Sequence, residues 1–184
     1  MTALKKMTMS NIRTFDGLAP DVHAQAWVDP TALVIGDVHI GRETSIWPQV
    51  VIRGDIKEIR IGERCNVQDG SMLHVSHDSE FLPGGAPLVL GNNVTIGHKV
   101  ILHGCEIRDH CLVGMGCIVM DRAVVQDHVV LGAGSVVPGG KVLESGYLYV
   151  GSPARRVRQL TEQELNYFGY SAEHYVRLAR KHYG

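Results

Sequence analysis

The sequence predicts a parallel β-helix of six-residue repeats, and three observations predict it: aliphatic residues recur at every sixth position, glycine is abundant, and a small or β-branched residue stands two positions before most of the aliphatics. Val28, Val34, Ile40, Ile46 and Ile52 form the first run. After a three-residue insertion the run resumes at Ile61, Val67 and Leu73, and after a longer interruption at Leu90, Ile96 and Leu102. One residue is then dropped, and the series continues through Ile107, Val113, Val119, Val125, Leu131, Val137, Leu143 and Tyr149. Such a period is neither the roughly 3.6 of a helix nor the plain alternation of an ordinary strand. It fits short strands separated by corners, three sides to a coil, with each coil burying the one before it.

Each element follows from that pattern. Gly41, Gly62, Gly91, Gly97, Gly114 and Gly132 come directly after an aliphatic, where a corner benefits from the missing Cβ. Ala32, Val38, Thr44, Val50, Ser71, Val94, Ala123 and Ser135 fill a second inward slot. Aromatics make up only 6 % of the 184 residues, so the core is aliphatic. Cys65, Cys105, Cys111 and Cys117 all fall in the small inward slot and read as buried, reduced packing residues. With no CxxC pair, a zinc–thiolate site or a disulfide framework is the weaker alternative.

The repeat ends near Gly151-Ser152-Pro153, a turn signal. Beyond it Thr161 and Glu164 make a capping box ahead of Leu165 and Phe168. Ser171 is expected to cap a second stretch whose Tyr175, Leu178 and Ala179 share one face. The expected organisation is a disordered leader over residues 1–14, a β-helix over 15–153 with a loop insertion at 75–87, and a C-terminal helical segment over 154–184. Lys5 and Lys6 precede no apolar stretch, so the start does not read as a secretory signal, and a cytoplasmic location is expected. No apolar run is long enough for a bilayer, and a net charge of −1 without a basic face argues against nucleic acid.

A purely structural repeat would be even. This one is broken between Ile52 and Leu102, where unusual side chains gather: Arg53-Gly54-Asp55, Gln68-Asp69-Gly70, His74, His98 and His103. Arg53, Gln68, His74 and His103 each follow an inward aliphatic and are expected to point outward. His98 comes two after Ile96, at a corner. Three neutral imidazoles suit a divalent cation, zinc above all, and leave a fourth position for water. The other contextless histidines, His23, His39, His110, His128, His174 and His182, read as surface or helix residues.

At these residues the chain resembles the γ-class carbonic anhydrases and their bacterial relatives, through VVIRGD (residues 50–55), NVQDGSMLH (66–74) and GHKVILHGC (97–105). The GSPARRVR tail is shared with hexapeptide acyltransferases and does not discriminate. The resemblance implies a left-handed parallel β-helix assembled as a homotrimer, with metal sites between subunits. His74 and His103 would come from one chain and His98 from its neighbour. Zn2+ is the expected ion, though Fe2+ and Co2+ accept the same ligands. The resemblance further implies that Arg53 pairs with Asp69, with Asp55 nearby, across that interface, and that Gln68 orients hydroxide or bicarbonate. The implied reaction is the reversible hydration of CO2 to bicarbonate by a metal-bound hydroxide.

The chain departs from the family's archaeal prototype in proton handling. Ile56 stands where that protein has a Glu, and a second Glu, in an acidic loop after the first His, has no counterpart: this chain has the loop VSHDSEFLPGG instead. His77 and Glu80 are the relay candidates there, a solvated loop residue being the plainer reading of each. Two alternatives therefore stay open: a metal-binding relative with little or no turnover, and a CoA-dependent hexapeptide acyltransferase.

Overall fold

The computed structural model describes residues 10–182. The chain forms a parallel β-helix closed by one C-terminal helix, α1 (Glu162–His182). The inward aliphatics sort into three ladders, one per side. On the first face Val34, Ile52, Leu73, Leu102, Val119 and Val137 stand in parallel register. Ile40, Ile61, Leu90, Ile107, Val125 and Leu143 line the second. Val28, Ile46, Val67, Ile96, Val113, Leu131 and Tyr149 line the third. All but Val28 are buried, in one continuous core along the axis.

The corners are equally regular. Each coil turns from the second to the third face through a residue in the left-handed region: Glu43, Arg64, Asn93, His110 and His128, with φ of 54 to 56°. The next corner uses Gln49, Gly70, Lys99, Gly116 and Gly134. All four cysteines are free and buried. Burial pushes the thiols of Cys65, Cys105 and Cys111 up to about 12, and Cys65, Cys111 and Cys117 donate to carbonyls of Gly91, Gln126 and Gly132. They are packing residues.

Three features differ from expectation. Residues 1–9 of the leader expected over 1–14 lie outside the described residues, but Ile12 and Arg13 pair with Val34 and Ile35 because Ile12 packs on the core. The segment after Ala154 is not wholly helical: Arg155–Gln159 first adds an antiparallel strand to Tyr147–Val150. The helix itself is continuous. Thr161 and Glu164 cap it reciprocally, at 3.2 and 2.8 Å. Ser171 caps nothing; it is buried mid-helix and shares a hydrogen bond of 2.9 Å with the Thr95 hydroxyl on the third face. That partner lets the buried stripe of Phe168, Ala172, Val176 and Ala179 run unbroken, while Leu165 stays exposed.

Helix α1 thus covers the third face. The Trp47 ring meets Tyr175 and His182 at 5.7 and 5.2 Å between centroids. Ion pairs from Arg64 to Glu43 and Glu173, and from Arg180 to Glu43, tie helix to coil. The 75–87 loop is a hairpin, with Ser76 bridged to Ala86 and Ser79 to Leu82. No helix of the described residues is long and apolar enough to cross a membrane.

Leu102→Ala removes a fully buried rung between Leu73 and Val119 and is expected to cost about 2–5 kcal/mol in denaturant titrations. Hydrogen bonds from Arg158 and Thr161 hold the Glu164 carboxyl down at about 2, against an ordinary 4.5. Its contribution to the cap is therefore complete above the ordinary value and is lost as pH falls through about 2. An NMR titration of Glu164 checks this, and Arg158→Ala should move the midpoint upward.

Candidate metal centre

The stacking register builds the centre. His74 and His103 follow Leu73 and Leu102 and are direct partners on adjacent coils of the first face. Arg53 lies on the same face one coil earlier, opposite Ile35. The insertion after Ile52 is a bulge: Gly36 pairs with Gly54, but Val38 pairs with Ile59, so residues 55–58 loop out at the corner. The bulge turns Asp55 back toward the histidines. Arg53 Nη1 donates to Asp55 Oδ2 at 2.5 Å, and His74 Nε2 lies 3.1 Å from Asp55 Oδ1.

The rings of His74 and His103 are each held by a carboxylate on the side away from one another. His103 Nδ1 lies 2.9 Å from Asp121 Oδ1, which also accepts from the Ser76 hydroxyl. A carboxylate only accepts, so His74 Nε2 and His103 Nδ1 carry the protons. The remaining nitrogens, His74 Nδ1 and His103 Nε2, face each other at 3.1 Å. With both rings neutral these are two lone pairs, which repel unless a cation sits against them. Their separation is close to the roughly 3.3 Å between two nitrogens bound at about 2.0–2.1 Å to one tetrahedral ion. The residues therefore fit a shared metal.

The electrostatics suit that role. Burial lowers the His74 pKa, and Arg53 adds to the effect, against the opposing pull of Asp55. Burial raises the Asp55 carboxyl, but bonds from Arg53 and His74 outweigh it and hold the pKa below its ordinary value. A neutral imidazole beside an ionised carboxylate is the state a ligand needs.

His98 is elsewhere. It sits at the corner between the third and first faces, one residue before Lys99 at φ +56°, while His74 and His103 lie at the far edge of the first face. Its Nδ1 is 3.0 Å from Asp69 Oδ2, a third histidine–carboxylate pair. Among the described residues of one chain, no three ligand side chains converge. Arg53 and Asp69 likewise have separate partners within the chain, Asp55 and His98.

Gln68 points out of the coil as expected, but on the third face, where α1 buries it. Its amide donates to Asn66 Oδ1 at 3.0 Å, and Asn66 donates in turn to Thr95. With His98, Met115, Tyr167 and Tyr175 it lines a groove of about 380 Å3 between the third face and α1. Burial raises the Tyr175 hydroxyl, with Gln68 close enough to oppose the shift.

Asp121 was missed in the sequence. Its one signal is position: it falls two residues after Val119, which stacks on Leu102, so it arrives over the His103 corner. Gly104 completes that corner, since a Cβ there would meet Asp121 Oδ1 at 2.3 Å. His110 and His128, expected as surface residues, stack with centroids 5.0 Å apart beside Phe168.

Residues 104–139 match the bacterial transferase hexapeptide (six repeats) family. The chain is 52 % identical over 166 residues to Protein YrdA of Escherichia coli K12, covering 90 % of each. It is 44 % identical to a carbonic anhydrase of Geobacillus kaustophilus, over 84 % of this chain and 81 % of that one. It is 43 % identical to mitochondrial gamma carbonic anhydrase 1 of Arabidopsis thaliana, over 89 % of this chain and 59 % of that one. The solved structure of a hexapeptide transferase family protein from Anaplasma phagocytophilum matches with a TM-score of 0.84 at 40 % identity, over 92 % of this chain and 96 % of that one. The chain belongs to the γ-carbonic-anhydrase-like family of hexapeptide-repeat proteins.

Proposed function

We propose that the protein is a γ-class carbonic anhydrase that interconverts CO2 and bicarbonate at a metal held between copies of a homotrimer. His74 and His103 of one copy and His98 of the next are the proposed ligands. The observation that carries this reading is the pair of imidazole nitrogens at 3.1 Å, each ring meeting a carboxylate through its other nitrogen. A divalent cation in that position, zinc by preference and Fe2+ or Co2+ by the same ligand chemistry, lowers the pKa of a bound water toward neutrality, which is what hydration of CO2 requires.

The chain's own residues have defined tasks in this reading. Asp55, Asp121 and Asp69 hold the three rings, and Arg53 keeps Asp55 ionised. Gln68, beside His98 on the third face, orients the reacting oxygen. A split site also accounts for the apolar residues left exposed around it, Met72, Ile101, Met115 and Met120. A contact that joins one edge of the first face to the opposite edge of the next copy is heterologous, and a threefold rotation between copies closes it as a three-membered ring. Ile56 provides no proton relay where the family prototype has Glu, so turnover is expected to be slow.

The likeness to a hexapeptide transferase family protein favours one second reading, acyl transfer from coenzyme A. That reading gives no purpose to the facing pair of imidazole nitrogens.

Metal analysis by mass spectrometry on anaerobically purified protein, with stopped-flow CO2 hydration on the same sample, should give about one metal per chain and measurable catalysis. Metal without catalysis would identify a binding relative, and acetyl-CoA binding by metal-free protein would identify the transferase. His98→Ala and His103→Ala should each lose metal and activity. When the two variants are unfolded and reassembled together, part of both should return, because a mixed ring contains one intact pair of edges; no recovery would sink the shared site. Asp121→Ala should weaken metal binding about 10–100-fold in chelator competition, with the far-UV spectrum unchanged.

A further inference from the structure

The 75–87 hairpin carries the most exposed large apolar side chain of the described residues: Phe81 at its tip is 88 % accessible. That exposure is not the result of a loose loop. Ser76 and Ala86 exchange backbone hydrogen bonds at 3.1 and 2.9 Å, and Ser79 and Leu82 at 3.3 and 3.1 Å. Arg122 binds the carbonyls of Pro83 and Gly85, and Ser76 is tied to Asp121. The hairpin is a fixed arm that presents an aromatic ring to water.

Its root settles where the arm can reach. The hairpin leaves the coil directly after His74, on the edge of the first face that also holds His103. His98, which the shared metal draws from the next copy, lines the mostly apolar groove between that copy's third face and its α1. Bringing His98 up to His74 and His103 therefore brings the groove up to the root of the hairpin. The groove is walled by Leu112, Met115, Ala133 and Tyr167. At about 380 Å3 it is far larger than the triatomic substrate needs and is sized for an aromatic side chain with room around it.

We propose that Phe81 of each copy seats in the α1 groove of the next, so that the hairpin clasps the assembly and roofs the metal centre. The inference rests on the shared-metal reading. It gives the groove one occupant, a second copy of this chain. It also gives the hairpin, through Ser76 and Asp121, a direct connection to the ring of His103.

Inter-subunit cross-linking tests the placement. Full-length Phe81→Cys/Met115→Cys protein, treated with a short bismaleimide, should give covalent multimers on a denaturing gel, and neither single variant should. The native cysteines are buried and do not interfere. In parallel, Phe81→Asp should raise the concentration at which the ring dissociates in analytical ultracentrifugation by about 30-fold or more. Wild-type protein that assembles and binds metal while the double variant gives no cross-link would overturn the clasp and leave the shared site standing. Wild-type protein that stays monomeric with its metal bound would overturn both.

Discussion

Stacking register is the constraint on which the rest of this molecule depends. Each coil contributes one aliphatic per side to a ladder, and a slip of one residue would turn that set outward. The ladders therefore fix the position of every outward residue as well as every inward one. His74 stands over His103 because Leu73 stands over Leu102. Asp121 arrives at the same corner because Val119 stacks on Leu102 in turn. A β-helix is a poor scaffold for moving parts but a good one for holding side chains of successive coils at a constant spacing. Two imidazoles one rung apart are the simplest use of that spacing.

The irregularities are what make the rungs chemical. Between Ile52 and Ile61 the chain spends three extra residues at one corner, and the bulge aims Asp55 at His74. Between Leu73 and Leu90 it extends a hairpin whose base meets Asp121. Both insertions lie beside the histidine pair: the first brings Asp55 to the His74 ring, and the second sets Ser76 against Asp121, the carboxylate that meets the His103 ring. Their common effect is to fix the orientation of the two rings.

The fold was legible because its signal is periodic and redundant. Many aliphatics agree on one register, so that even the dropped residue before Ile107 could be read. The cysteines were legible for the same reason. The helix was legible at its start, where Thr161 and Glu164 act locally, but not at Ser171, whose partner Thr95 is distant in sequence. Site residues followed the same division. Arg53, His74 and His103 could be assigned to the outside from alternation alone, as could Gln68. That Gln68 belongs to another face, beneath α1, required the coil to be closed. His98 could be placed at a corner, but its distance from the other two ligands is a property of the three-sided section. Asp121 lay outside every motif, because its contact with His103 is made between coils and leaves no local pattern.

Charge gives a further reason why a cation suits the proposed arrangement. On the proposed reading the assembled centre gathers Asp55, Asp121 and Arg53 from one copy and Asp69 from the next, around the three imidazoles. Three carboxylates against one guanidinium leave two negative charges uncompensated in a region that is partly removed from water. On that reading, without a cation the edge bearing Asp55 and Asp121 and the edge bearing Asp69 repel, while two imidazole nitrogens face each other at 3.1 Å. A divalent cation would offset that excess, satisfy the nitrogens and draw the two edges together. On the proposed reading the same ion would serve the chemistry and the assembly, each copy alone holding only part of the site.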